Sequence, residues 1–463
     1  MNFLNYNYKE KLSTVRLRES TINRDKRIDE FYSDRSRIIY STSFRRLQQK
    51  AQVFSLESNS GVHTRMTHSL EVSDVGRTLA NKIAWKLYTS DIIQSEQIAE
   101  FVTIVENACL VHDLGNPPFG HFGEAAIQSW SNTTDIFNKV NYKNLFLFED
   151  FKQFDGNPQG IRILLKLHTE HDKFSLNLTS ATLLSALKYV RSPKEDPDDG
   201  IMKKPGFFYT ELDEIEQIQH NANVQAHHRY PLTYIMEAAD DIAYCMSDIA
   251  DGIEKRIITL DEFEKSFRQK WKKTYRKIRC PIHKKIKSFN HDISIPWSKQ
   301  AMEEVANCYL EEHSDVFNGI ANDLLSKTEI NKNFKVLKSV SREKLYSSAE
   351  AENIELTGFS VITGLLKHYE RLLKMPYSDF CNLLNGENPK GYEVEKRLYD
   401  RIAKHYIDAY VYAVKKLNKK ERNFADKELW LRTHLVIDYI SGMTDAFSLS
   451  MYQMLEGISI KRN

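Results

Sequence analysis

Apolar positions recur along most of the chain at intervals of three and four residues, the period of helices that bury one face. Ile98, Phe101, Val102, Val105, Ala108 and Cys109 form one such stripe. Val72, Val75, Leu79, Ile83 and Leu87 form a second, and Ile242, Met246, Ile249 and Ile253 a third. Alternating strand patterns are scarce. With 17 glycines and 11 prolines in 463 residues, the chain is also poor in the tight-turn residues that an all-β fold consumes. The pattern predicts an all-α protein, interrupted by polar loops at residues 191–200 and 385–391. No internal repeat and no long linker stands out.

Composition narrows the class. Apolar residues make up 41% of the chain, enough for a sizeable core spread over one large or two to three ordinary domains. Lys plus Arg number 65 against 63 Asp plus Glu, so no overall field points to nucleic acid or a membrane surface. Five cysteines (109, 245, 280, 308 and 381) are odd in number and lack a CxxC pair, which fits reduced thiols rather than a disulfide framework or zinc ribbon. The first ten residues lack an apolar signal core, and no stretch is long enough to span a bilayer. A cytoplasmic location with no membrane partner is expected.

One segment breaks the charge balance. From Lys265 to Asn290 there is no acidic residue, while Lys272, Lys273, Arg276 and Lys277 alternate with Phe267, Trp271 and Tyr275. Cations for phosphates and aromatics for stacked bases suit a single-stranded nucleic acid. The plainer reading is an exposed amphipathic helix with Phe267, Trp271 and Ile278 turned inward.

Candidate chemistry begins where the first stripe ends, at His112-Asp113, inside a run from Cys109 through Gly115-Asn116-Pro117-Pro118-Phe119-Gly120 to Glu124. His112 continues the buried face, so its imidazole points inward. A carboxylate beside it would be costly to bury unless a cation neutralised it. An adjacent His-Asp pair can place one ring nitrogen and one carboxylate oxygen on a divalent ion. His68 opens the helix of the second stripe, and Asp240-Asp241 sit on a helix that starts near Pro231. Adjacent helical positions point about 100° apart, so only one of Asp240 and Asp241 can join the set. His68, His112, Asp113 and one of that pair make a mixed nitrogen–oxygen site for Mg, Mn, Fe, Ni or Zn. Four protein ligands leave room on a six-coordinate ion for water and substrate, the plan of a catalytic site. Singly, each of these residues is better explained by packing or capping; together, in order and on helices, they favour a metal.

His121 and Glu124 stand three residues apart on a helix after the Pro-Pro break. A carboxylate there can orient an imidazole for proton transfer, although a glutamate in a first turn is also favoured by the helix dipole alone.

The order His68, His112-Asp113, Asp240 resembles the HD superfamily of metal-dependent phosphohydrolases. Longer strings are similar to the bacterial deoxyguanosine triphosphate triphosphohydrolases: Phe44-Arg45-Arg46-Leu47 through Phe54, Thr64-Arg65-Met66-Thr67-His68-Ser69, and the Gly115-to-Glu124 run. Phe154-Asp155-Gly156-Asn157, Met202-Lys203-Lys204-Pro205-Gly206 and Ile440-Ser441-Gly442-Met443-Thr444-Asp445 extend the likeness over nearly the whole chain.

The resemblance implies hydrolysis of dGTP, or of several dNTPs, to deoxynucleoside and tripolyphosphate, by metal-activated water at the α-phosphate. It selects Asp240 as the fourth ligand and His121 and Glu124 as catalytic. It implies Gln52 and Asp248 on the sugar 3′-hydroxyl, Tyr244 against the sugar, and Arg65, Asn157, Lys188, Tyr189 and Lys204 around the triphosphate. Glu355 is the candidate acceptor for a guanine edge, without a counterpart to the family's arginine near residues 385–391. A homo-oligomer, commonly a hexamer, and a response to single-stranded DNA are further implications. Because the metal donors spread from 68 to 240, residues 1–255 are expected to form the catalytic core, with 256–463 packed on it as additional helices. The alternatives are another HD-type hydrolase acting on an alarmone or cyclic dinucleotide, and a nucleotide-sensing or nucleic-acid-binding module with a structural metal.

Overall fold

The helical period is expressed along the chain. The computed structural model describes residues 6–57, 59–170 and 172–458, so the first five residues of the N-terminal reading lie outside the described residues. Among those described there are twenty-one α-helices, short 3-10 and π segments, and no β-strand. Three isolated bridges are the only β-type pairings among them. No helix among them is long and apolar enough to cross a membrane.

Three helices position the site. Arg65–Thr89 starts on a capping box, in which the Thr64 side chain accepts from the Thr67 N–H and the Thr67 side chain accepts from that of Thr64. Ser95–Val111 buries Phe101, Ile104, Val105, Ala108 and Cys109. Burying side chains of this size stabilises the fold by roughly 1.5–3 kcal/mol for each of the larger ones. The two helices approach so closely that a Cβ on Gly76 would collide with the Cys109 sulfur. Thr233–Glu254 packs on both. It begins two residues later than Pro231 suggests, because Pro231 and Leu232 are taken up in the preceding turn.

The buried apolar residues fall into two clusters, and the chain on either side of residue 255 contributes to each. One gathers the three helices above with residues 258–345. The other joins Phe119, Ile127, Trp130 and Phe151 to the C-terminal helices Ala349–Lys374 and Phe424–Ser441. The C-terminal string is tied directly to the loops around residues 51 and 119. The Asp445 carboxylate accepts from the backbone N–H groups of Phe119 (3.2 Å) and Ala51 (3.1 Å). Lys50 donates to the carbonyls of Asn116 (2.6 Å) and Ser441 (2.9 Å). Gly115 lies against the backbone of Gly156 and Gly160, where any side chain would clash.

The basic segment lies largely on the helix Leu260–Thr274 and the loop after it. Phe267 and Trp271 are stacked 5.9 Å apart in the core, and the Trp271 indole N–H donates to the Ile278 carbonyl. Tyr275 is half-buried beside Trp271. The aromatic rings are therefore not presented as a stacking platform for bases. Ile278, expected inward, is exposed, because the chain leaves the helix before reaching it. Lys272, Lys273, Arg276 and Lys277 do face solvent.

Candidate metal centre and catalytic cavity

His68 sits in the first turn of Arg65–Thr89, His112 caps the end of Ser95–Val111, and Asp240 lies in the second turn of Thr233–Glu254. Packing these helices brings Asp240 Oδ1 to 3.4 Å from His68 Nε2 and 3.5 Å from His112 Nε2. One donor atom from each of the three lies within 4.8 Å of the others. The His112 Nδ1 is 2.7 Å from the Cys109 carbonyl, which can only accept, so Nδ1 carries the proton and Nε2 presents its lone pair. Among the described residues, that Nε2 and both ring nitrogens of fully buried His68 find no hydrogen-bond partner. A buried polar atom left unpaired costs on the order of 1–3 kcal/mol. Donors about 2.0–2.2 Å from a shared ion stand roughly 3–3.5 Å apart, so the spacing and the orphaned nitrogens both fit a divalent cation.

Asp113 borders this group without converging on it as closely. Its Oδ2 accepts from Arg65 Nη1 at 2.7 Å and its Oδ1 from the Asn116 amide at 2.5 Å, while Oδ1 remains 3.7 Å from His112 Nε2. Burial works to raise its carboxyl, but Arg65, with His112 and His68, pulls it down to about 2. Burial likewise opposes ionisation of Asp240, and His112, Lys188 and His68 overcome it, holding that carboxylate well below its ordinary range. Asp241, also on the wall of the neighbouring cavity, is engaged by Lys338 at 2.8 Å. The local periodicity left the pair open; helix packing places Asp240 against the imidazoles.

The group faces a cavity of about 460 Å³, within the usual range for small-molecule sites. Every site residue singled out in the sequence lies on its wall except His68 and Asp248. His68 is fully buried, with its ring 5.5 Å from that of His112. Asp248 lies beneath the hydroxyl of Tyr346, which donates to its Oδ2 and stands 2.6 Å from the Tyr244 hydroxyl. Burial pushes the Asp248 carboxyl up to about 7. Tyr346 was missed in the sequence because it ends a short π segment, Arg342–Tyr346, with no motif around it. Asp155, within Phe154-Asp155-Gly156-Asn157, carries no signal of its own in the sequence. It accepts from Lys204 at 2.6 Å and from the Asn157 amide at 2.5 Å, fixing both beside the cavity. Lys188 is 3.4 Å from Asp240, and burial notwithstanding, Asp240 and Glu237 keep it firmly protonated.

His121 opens the helix His121–Thr133 at the cavity lip, with its side chain 82% exposed. Its Nδ1 is 2.8 Å from Glu124 Oε2, and Glu124 Oε1 accepts from the Gly156 N–H at 2.8 Å. The Glu124 hydrogen bond raises the His121 pKa. Gly120, with φ of 54°, makes the turn into this helix and leaves space for the Arg65 guanidinium.

A further ion pair clamps the start of the Arg65 helix to the Asp240 helix. His63 Nδ1 is 2.6 Å from buried Asp251, and its Nε2 is 2.9 Å from Glu71. The two hydrogen bonds, Asp251 first, raise His63 to about 10. The folded-state value thus exceeds the unfolded one, so the stabilisation is complete below about pH 6.5 and is lost as pH rises towards 10. Chemical denaturation of wild type and His63→Gln should therefore differ most near pH 6 and converge by pH 10. A constant difference across that range would remove the ion-pair account.

Residues 65–193 match the HD domain. The matched span takes in His68, His112, Asp113, His121 and Glu124 and ends before Asp240. With the His–His–Asp group facing a cavity, the HD match points to a metal-dependent phosphohydrolase.

Proposed function

We propose that the protein hydrolyses a deoxynucleoside triphosphate to the deoxynucleoside and tripolyphosphate, with dGTP the expected substrate. The observation that carries this reading is the company the metal-binding group keeps in one cavity. Arg65, Lys188 and Lys204 supply cations for a triphosphate, and Gln52 and Tyr244 share the same wall. Gln52 Oε1 and Asp248 Oδ1 are buried acceptors without a donor among the described residues, as a site awaiting a sugar hydroxyl would be.

In this reading a water oxygen bonds to the α-phosphorus and the bond from phosphorus to O5′ breaks, the water losing one proton and O5′ gaining one. A divalent ion bound by His68, His112, Asp113 and Asp240, with Mg or Mn favoured and Fe, Ni or Zn also compatible, would supply Lewis acidity to the phosphoryl group and acidify water. Arg65 and Lys188 hold the phosphates in register. His121, whose pKa Glu124 raises, would give a proton to O5′. Glu355, on the cavity wall in Ala349–Lys374, is the candidate acceptor for the guanine edge.

Tripolyphosphate, rather than pyrophosphate or orthophosphate, should be the inorganic product by ³¹P NMR; its absence would remove the α-phosphate assignment. Asp248→Asn and Gln52→Ala should each lower kcat/KM on a normal dNTP by about 5- to 150-fold, the factor matching about 1–3 kcal/mol for a lost buried hydrogen bond. A 3′-deoxy analogue should lose far less. Equal losses on both substrates would take these residues off the 3′-hydroxyl.

A homo-oligomer, hexameric by resemblance, and single-stranded DNA belong to the same proposal. For DNA the support is now electrostatic alone, from the exposed cations at 272, 273, 276 and 277. Reversing those four charges should weaken DNA binding and flatten its salt dependence while leaving basal hydrolysis intact. An unchanged binding isotherm would count against the segment.

A further inference from the structure

Away from the catalytic cavity, a second pocket opens between the segment Thr42–Arg46, the end of Gly156–Lys166 and the start of Lys404–Lys415. Arg46, Lys50, His168 and His405 all line it, and among the described residues no carboxylate does. Lys50 and His168 are almost wholly buried. Arg46 and Lys50 bring two cations to one small hollow, and these repel one another unless something negative enters it. Burial lowers Lys50 to about 7, with Arg65 and Arg46 adding to it against the pull of Asp445, and lowers His168 to about 4, with His405 and Arg46 adding to it against Glu170. His405 is lowered for the same reasons.

The acidic groups nearby are engaged elsewhere. Asp438 is bound to Arg162, and Asp445 accepts from Ala51 and Phe119. Glu170 is half-exposed and 3.9 Å from His168 Nδ1. Several donors in the pocket are uncommitted. The Tyr406 hydroxyl accepts from Arg46 Nη1 at 3.0 Å, which leaves its own proton free. Lys50 spends two of its three N–H bonds on the Asn116 and Ser441 carbonyls. Gly442 makes the space: a Cβ there would collide with the Tyr406 hydroxyl.

We propose that this pocket is an anion site for a single chloride-sized ion, bound by Arg46, Tyr406 and Lys50. Its volume, about 20 Å³, holds one water-sized particle and excludes a whole phosphate. Two cations and the free Tyr406 proton, with no carboxylate among the described residues of the wall, favour an anion as that particle. The ion would add to Asp445 in compensating Lys50, whose ammonium ties the Asn116 carbonyl, three residues after Asp113, to Ser441 at the end of Phe424–Ser441. Halide binding therefore fastens the loop that carries the His-Asp pair to the C-terminal half of the chain.

Crystals of the intact protein soaked in bromide should show an anomalous peak between Arg46 and Tyr406. In solution, at constant ionic strength, replacing gluconate by chloride should raise Tm by about 1–2 °C per tenfold concentration above the dissociation constant. Arg46→Gln should lose that slope, and His405→Glu, which places a carboxylate in the pocket, should lose it while remaining as stable as chloride-saturated wild type. No bromide peak in the pocket, or the same halide slope in wild type and both variants, would overturn the proposal. The second variant keeps the test decisive if Arg46→Gln fails to fold.

Discussion

Replacing His112 or Asp240 with alanine is expected to abolish hydrolysis and strip the divalent metal. Each supplies an atom to the three-residue group, and Asp240 Oδ1 is the atom shared between both imidazoles. Removing one ligand also leaves the others as buried, unpaired groups, which raises the cost of the folded site as well as weakening the ion. Lewis-acid assistance is worth several kcal/mol, so turnover should fall by at least about a thousandfold. Asp241→Ala is the matched control. Its partner Lys338 is partly exposed, and loss of a partly solvated pair should cost about 1 kcal/mol or less with metal content unchanged. Metal analysis of the purified variants beside turnover decides the matter: a His112→Ala protein with full metal and full activity would falsify the site.

Most of this centre was legible before any coordinates, and the reason is physical. His68 and His112 fall on helices whose apolar period fixes which way they point, so the sequence alone aims both imidazoles inward. The choice between Asp240 and Asp241 could not be made that way, because it depends on the rotation of Thr233–Glu254 against two other helices. The ties that hold the cavity loops were illegible for a related reason. Asp445 reaches Phe119 across 326 positions and Ala51 across 394, and neither end carries a periodic signal. Tyr346 is a similar case, joining Tyr244 and Asp248 from about a hundred residues away. The basic segment left two readings open, and the plainer one holds for its rings: at helical spacing Phe267 and Trp271 share one face, and that face is core.

His121→Ala should reduce kcat by about a hundredfold or more, the ordinary scale for a general acid or base, with metal content and KM close to wild type. The side chain is exposed at the cavity lip, so truncation opens no cavity in the core and should leave stability intact. Glu124→Gln tests the pairing itself. The carboxylate raises the His121 pKa, and an amide in its place should let it fall back towards 6.5. If His121 donates a proton to O5′, activity declines as pH rises through its pKa, so the variant should lose activity at a lower pH than wild type. If instead it removes a proton from water, activity climbs through that pKa, and the variant's rising limb moves to lower pH. The two roles thus displace opposite limbs of the pH–rate profile. Should KM rise while kcat holds, His121 is a phosphate contact and the proton transfer lies elsewhere.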